Sequence, residues 1–162
     1  MRPVVPFVLA VVACALTKTQ TPAAADSLPV LNRAIVAFVV DHMGRKVDRG
    51  ECWDLAAGAL NQARARWDGA YAFGRLLDWR KDTILPGDIV QFERVTVERR
   101  TADRMERLSF GHHTAVIMTV HGRGSFTLGH QNFGKAGRKV SLLDLEMAQV
   151  RAGKVVIYRP VR

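Results

Sequence analysis

A cysteine that opens a helix and two histidines downstream of it are the residues of this chain best suited to chemistry. Cys52 follows the small turn Gly50-Glu51 and precedes Trp53-Asp54-Leu55-Ala56-Ala57, and from there Leu55, Ala56, Ala59, Leu60 and Ala63 recur at helical spacing. Cys52 lies three residues before Leu55, so it shares that face and its thiol is expected to turn toward the core. Unpaired backbone N–H groups and the positive end of the dipole at a helix N-terminus favour a thiolate, which predicts a lowered thiol pKa. The same N–H groups suit a developing oxyanion. A lone cysteine in a helix is ordinarily a small hydrophobe. It becomes a nucleophile when an imidazole takes its proton and a third group fixes the tautomer of that imidazole. His113, His130 and Asn132 are the residues that fit these roles.

The elements that must position them follow from periodicity. His112-His113 opens the apolar run Thr114 to Val120, which reads as a central strand, and Gly129-His130-Gln131-Asn132 ends the next run, with Gly122-Arg123-Gly124 as the turn between. Antiparallel neighbours joined by such a turn bring His113 near His130, and period-two alternation places Asn132 on the face of His130. His112 is expected to be a solvent neighbour of His113, His121 to sit in a turn, and Asp54 to support the helix N-terminus. The histidines match no metal-ligand spacing and the processed domain keeps one cysteine, so no metal and no cofactor is expected.

Upstream, Leu31, Ile35, Phe38 and Val39 with His42 or Met43 form one helical stripe, with Ser27 or Asn32 as its cap and Gly44 as its stop. The Cys52 helix is expected to run to about Trp67, before the Asp68-Gly69 turn and an irregular aromatic stretch from Tyr71 to Trp79. After the turn Pro86-Gly87-Asp88, Ile89 to Phe92 with Val95 reads as a strand, and the charged stretch Glu93 to Arg107 as a solvated hairpin arm or short insertion, and secondarily as an anion-binding flap. Leu142 to Val150 is expected to be a short helical segment and Lys154 to Arg159 a closing strand. Helices first and an antiparallel meander after them make an α+β domain.

The N-terminus reads as an export signal. Met1-Arg2 is a short basic start, Val4 to Leu16 is almost unbroken apolar sequence, and Ala23-Ala24-Ala25 offers small residues for cleavage before Asp26. Residues 1–25 are therefore expected to be a signal peptide and 26–162 a single domain without a membrane span, exported to the periplasm, the cell envelope or the medium. The lesser alternative is lipid anchoring through Cys14. Either way Cys52 is the one cysteine of the processed domain, and an unpaired cysteine in an exported protein points to an intermolecular bridge or a reactive thiol. The chain carries +9, and removing Arg2 and Lys18 with the signal leaves +7. That charge suits an anionic surface, a cell-wall polymer, lipid headgroups or extracellular nucleic acid, and does not choose among them; a cell-wall polymer is the partner expected, and nucleic acid is not.

Gly50-Glu51-Cys52-Trp53 at a helix start, Leu85-Pro86-Gly87-Asp88-Ile89-Val90-Gln91-Phe92, His113-Thr114-Ala115-Val116-Ile117 and His130-Gln131-Asn132 together resemble the NlpC/P60 and CHAP papain-like cysteine hydrolases, over about residues 31 to 159. The combination also resembles a papain-like domain found on some fungal cytoskeletal proteins. The resemblance implies a papain-like fold, with N-terminal helices packed on an antiparallel sheet, and a cysteine peptidase or amidase that cleaves amide bonds, in bacteria usually in peptidoglycan. It makes Cys52 the nucleophile, His113 the base, His130 the third residue and Asn132 the counterpart of the CHAP asparagine. Glu51 departs from the CHAP pattern, which tends to carry glutamine there, and its charge would oppose a thiolate if it faced the site. A catalytically silent module that holds a wall fragment or a protein partner is the alternative on the same fold.

Overall fold

The computed structural model describes residues 28–100 and 104–162. The signal segment, Cys14, the cleavage point before Asp26 and the Ser27 cap lie outside them. Among the described residues two helices, α1 (Val30–Asp41) and α2 (Cys52–Gln62), precede six strands: β1 (Arg75–Leu77), β2 (Ile89–Arg100), β3 (Met105–Gly122), β4 (Ser125–His130), β5 (Ser141–Glu146) and β6 (Val150–Arg159). The strands form one sheet in the order β1-β6-β2-β3-β4-β5, and every pairing is antiparallel. No helix among the described residues is long and apolar enough to cross a membrane.

Alternation along the strands divides the buried residues between the two faces of the sheet. On one face Ile35, Phe38 and Val39 of α1 and Leu55, Ala59 and Leu60 of α2 pack with Ile89, Val116, Phe73 and Val140. The other face carries Val90, Phe92, Phe110, Ala115, Ile117, Phe126, Leu128, Leu145 and Ile157, which pack on one another with Trp79 and Phe133 rather than beneath a helix. The candidate site lies beside the end of β4, with Cys52 at the start of α2 and the His113 side chain on the strand-only face.

Two backbone devices shape the strands. Arg94 takes φ 49° and interrupts the β2–β6 register between Glu93 and Thr96, and Gly153 faces it at φ 84°, where a Cβ would come within 2.3 Å of the Arg94 carbonyl. Gly87, at φ 86°, lets the turn before β2 pass α1, since a Cβ there would meet the Asn32 carbonyl at 2.4 Å. Beside it the buried Asp88 accepts from Asn32 Nδ2 at 2.9 Å, from the Leu85 N–H at 2.9 Å and from Arg159 Nε and Nη2 at 3.0 and 2.7 Å. One carboxylate thus joins α1, the start of β2 and the end of β6.

Four expectations are corrected. Asn32 is not a cap: it lies inside α1, whose N-cap is Pro29, and its buried amide serves Asp88 and the Pro86 carbonyl. The stop at Gly44 comes three residues late, since α1 ends at Asp41. α2 ends at Gln62 rather than near Trp67, because Arg64 turns left-handed at φ 55° and Arg66 leaves to pair with Val161. Leu142 to Val150 is not helical. Residues 141 to 146 form β5 against β4, with Leu143 and Leu145 turned inward on alternate positions, and the helical part is a single 3-10 turn over Met147–Gln149.

Candidate active site

Cys52 is the first residue of α2, and the loop before it is fixed from two directions. Asp54 Oδ2 accepts the Glu51 N–H at 3.0 Å, which caps the helix, and Arg49 Nη2 reaches Asp54 Oδ1 at 2.6 Å. Burial alone would raise the Asp54 pKa, but Arg49 and the Glu51 N–H hold it below the usual carboxylate range. From the sheet side, the fully buried Gln131 donates from Nε2 to the Glu51 carbonyl at 2.6 Å and the Val47 carbonyl at 3.1 Å, while its Oε1 accepts the Val47 N–H at 3.1 Å.

The half-buried thiol meets the β3 backbone at the peptide units that flank His113. Sγ lies 3.9 Å from the His112 carbonyl oxygen, and the Thr114 N–H faces the sulfur. Burial raises the thiol pKa, against the backbone N–H groups of Thr114, Trp53 and Cys52, and the Glu51 carboxylate adds to the rise. This reverses the expectation of a lowered pKa, because desolvation outweighs the helix N-terminus. No hydrogen bond joins Sγ to either imidazole among the described residues.

His113 and His130 do meet. Their Nε2 and Nδ1 atoms are 3.1 Å apart, and His130 Nε2 lies 3.4 Å from Ser141 Oγ, its register partner on β5. Both rings are buried with Phe133, and Phe92 and Phe110 also flank His113. Burial and the neighbouring His130 push the His113 pKa down to about 3, and burial pushes that of His130 down to about 4. Both imidazoles are therefore neutral at pH 7. His113 Nδ1 has no hydrogen bond among the described residues, so it is the nitrogen free to accept a proton. The contact carries one proton, on His113 Nε2 or on His130 Nδ1; for His113 Nδ1 to accept the thiol proton it must sit on His113 Nε2, donated to His130 Nδ1, with the His130 proton on Nε2 and directed at Ser141 Oγ.

The β2–β3 register, Gln91 opposite Thr114, Phe92 opposite His113 and Glu93 opposite His112, assigns the neighbouring side chains to faces. His113 shares the strand-only face with Phe92. His112, Thr114, Gln91 and Glu93 share the face covered by α2. His112 is more than a solvent neighbour: its Nδ1 is 2.8 Å from Glu93 Oε2, its Nε2 is 3.3 Å from Gln91 Nε2, and its ring meets Tyr71 edge-on at 4.1 Å. Thr114 Oγ1 donates to Gln91 Oε1 at 2.6 Å, and Glu93 is held below the usual carboxylate range, against burial, by His112 and Gln91. The signal for this cluster is in the sequence: Gln91 and Glu93 alternate on one strand as His112 and Thr114 do on the next.

Asn132 departs from its expected place. It lies beyond the end of β4 at φ 60°, so period-two alternation no longer applies, and its Nδ2 donates to Glu51 Oε2 at 2.6 Å. Arg138 holds the same carboxylate at 3.3 Å. Asn132 thus restrains the acid beside Cys52 rather than an imidazole. Gln131 and Ser141 have contacts in the site that the sequence reading did not anticipate. Among the described residues no group of three or more His, Cys, Asp or Glu side chains forms a metal site.

A family model described as the AIM3/BBC1 cysteine proteinase-fold domain matches residues 29–162. No curated protein matches. Two solved structures are similar. The crystal structure of Ly7917 is 17% identical, with a TM-score of 0.46, covering 78% of this chain and 62% of that one. The crystal structure of Ly7917 with the hydrolyzing product of MDP is 19% identical, also with a TM-score of 0.46, covering 80% of this chain and 63% of that one. The chain spans less than two thirds of the length of either. With two helices on a six-stranded antiparallel sheet and a family match over nearly all described residues, the chain belongs to the AIM3/BBC1 cysteine proteinase-fold domain family and has a papain-like cysteine proteinase fold.

Proposed function

We propose that this protein is a thiol-dependent amide hydrolase in which Cys52 is the nucleophile, His113 the base and His130 the group that orients it. The observation that carries this reading is the His113–His130 contact of 3.1 Å, which leaves His113 Nδ1 as the accepting nitrogen on the residue whose flanking peptides hold the helix-borne thiol. In the reaction the thiol proton moves to His113 Nδ1 as a sulfur electron pair attacks the amide carbonyl, and the carbonyl pair moves onto oxygen. The N–H groups of Cys52 and Trp53 at the start of α2 face the sulfur and are the donors assigned to that oxyanion. Collapse breaks the C–N bond, His113 returns its proton to the leaving amine, and a water activated by the same imidazole cleaves the thioester and restores the thiol.

The order of landmarks shared with NlpC/P60 and CHAP enzymes favours a peptide amide as substrate, with peptidoglycan stem peptides or the amide that links them to glycan as the class to test. Export through removal of residues 1–25 belongs to the same proposal, and N-terminal sequencing should find Asp26 or a close neighbour first. The decisive experiment is turnover over a panel of peptidoglycan fragments and simple peptides. Activity is expected to vanish in folded Cys52→Ala and His113→Ala, and normal turnover by folded Cys52→Ala would refute the assignment.

The raised thiol pKa beside two neutral imidazoles favours a second reading, a binding module that has kept the fold but not the reaction. An inert thiol together with retained binding of a wall fragment would establish it.

A further inference from the structure

His130 has a second side. Beyond it lies a pocket of about 340 Å³ whose lining includes Arg99, Glu106, Phe133, Lys135, Ser141 and His130 itself. We propose that this pocket is an anion site, and that a small carboxylate ligand bound there supplies the negative charge that the imidazole pair lacks and so activates Cys52. The proposal rests on the thiol-imidazole reading above.

Three observations lead to it. The first is the direction of the hydrogen-bond relay. With His113 Nδ1 kept free for the thiol proton, each later donor points away from Cys52, so the relay ends on the His130 Nε2–H at the pocket wall. Its partner there is a neutral hydroxyl at 3.4 Å, longer than a good N–H···O bond, and a carboxylate oxygen would be the stronger acceptor. The second is the charge around the pocket. Arg99 from β2 and Lys135 from the turn after β4 bring two cations against the one carboxylate of Glu106 from β3, and Arg99 is held over the pocket by its hydrogen bond to the Asp144 carbonyl. The Asp144 carboxylate itself is engaged by Thr127 Oγ1 at 2.7 Å. The third is what the two imidazoles lack. His113, Phe133 and Ser141 surround His130 without one negative charge among them, so an imidazolium formed at His113 has only a neutral dipole to stabilise it. The pocket volume has room for a small organic acid.

The protons balance without an external acid or base. The thiol proton passes to His113 Nδ1, the His113 Nε2–H stays on His130 Nδ1, and the His130 Nε2–H turns from Ser141 Oγ to the anion. The result is a thiolate, an imidazolium and a carboxylate in line, with neutral His130 between the last two.

The test is the rate at which iodoacetamide, an uncharged probe, alkylates Cys52 near neutral pH while acetate replaces chloride at constant ionic strength. With the His113 pKa at about 3 and the thiol pKa raised above its ordinary value, the ion pair is scarce in the unliganded protein, so the ligand must close that gap by several units before alkylation quickens, and a saturable acceleration is the expected reading. The acceleration should disappear in Arg99→Gln/Lys135→Ala and persist in Lys135→Arg. A rate that depends on His113 but not on acetate would overturn the anion site and leave the thiol-imidazole reading intact, as would equal acceleration in the double variant. Alkylation that is the same in wild type and His113→Ala would overturn the underlying reading instead.

Discussion

Mild acid should destabilise this protein well before its carboxylates begin to titrate, and the two site histidines set the size of the effect. In the folded state His113 and His130 have pKa values of about 3 and about 4, whereas an unfolded chain returns each to about 6.5. Above pH 6.5 both states are neutral at these positions and the histidines contribute nothing to pH dependence. As the pH falls through 6.5 the unfolded chain binds two protons that the folded chain refuses, so stability is lost on acidification. At pH 5 each histidine costs about 2 kcal/mol relative to pH 7, so together they remove about 4 kcal/mol, a large part of the stability of an ordinary domain. The carboxylates held below their usual range, Asp54 and Glu93, act mainly at lower pH and do not confuse the measurement. Urea unfolding at pH 7, 6 and 5 is the assay, with the slope of stability against pH read directly. His130→Gln should remove about half of the pH dependence. Stability that is flat or rising between pH 7 and pH 5 would refute the argument, because it would mean that the two imidazoles are not held neutral by burial.

Other predictions concern single groups. On the proposed reading His130 orients His113 without bringing charge, so His130→Ala should leave measurable turnover and His130→Glu should be tolerated better; a His130→Ala protein as inactive as Cys52→Ala would show that His130 does more than orient. Glu51 raises the thiol pKa, and Glu51→Gln should lower it, by a modest amount because Arg138 and solvent already screen the carboxylate; the pH dependence of alkylation reads the shift, and a rise would contradict it. Asp88→Asn leaves the Arg159 guanidinium without its buried carboxylate and should cost about 3 kcal/mol in urea unfolding, with a loss below about 1 kcal/mol counting against the hub. Retention on an anionic polymer should weaken as salt rises, through the charged arm between Arg94 and Arg107; retention that ignores ionic strength would remove electrostatics from the account.

The sequence was most legible where period and turn residues agreed. The apolar stripe of α1, the start of α2 at Cys52 and the strands after Asp88 and after His112 are all readable in this way, and so is the meeting of His113 with His130, because one short turn sets their register. Legibility failed where a local choice depended on a distant partner. Leu142 to Val150 reads as helical by itself, but β4 offers its edge and turns the leucines into an alternating strand. Asn132 sits two residues past His130, yet the strand ends between them and a left-handed turn sends its amide to Glu51. The thiol pKa was misjudged for a related reason: the helix N-terminus can be read from neighbours in sequence, whereas burial under β3 is set by residues 60 positions away.

Gln131 bears on what the proposed activity requires besides its reacting groups. Its carboxamide offers Val47 one donor and one acceptor, as an adjacent strand would, so the nucleophile loop is grafted onto the sheet by a side chain where backbone pairing is missing. On the proposed assignment, the alignment of Cys52 and His113 therefore depends on a residue that the proposed reaction does not use. A relative that retained the cysteine and both histidines but replaced this glutamine would look competent on inspection while its loop had lost the link to Val47 and one of its links to Glu51. Judging whether such a chain still works means inspecting position 131 as closely as positions 52 and 113.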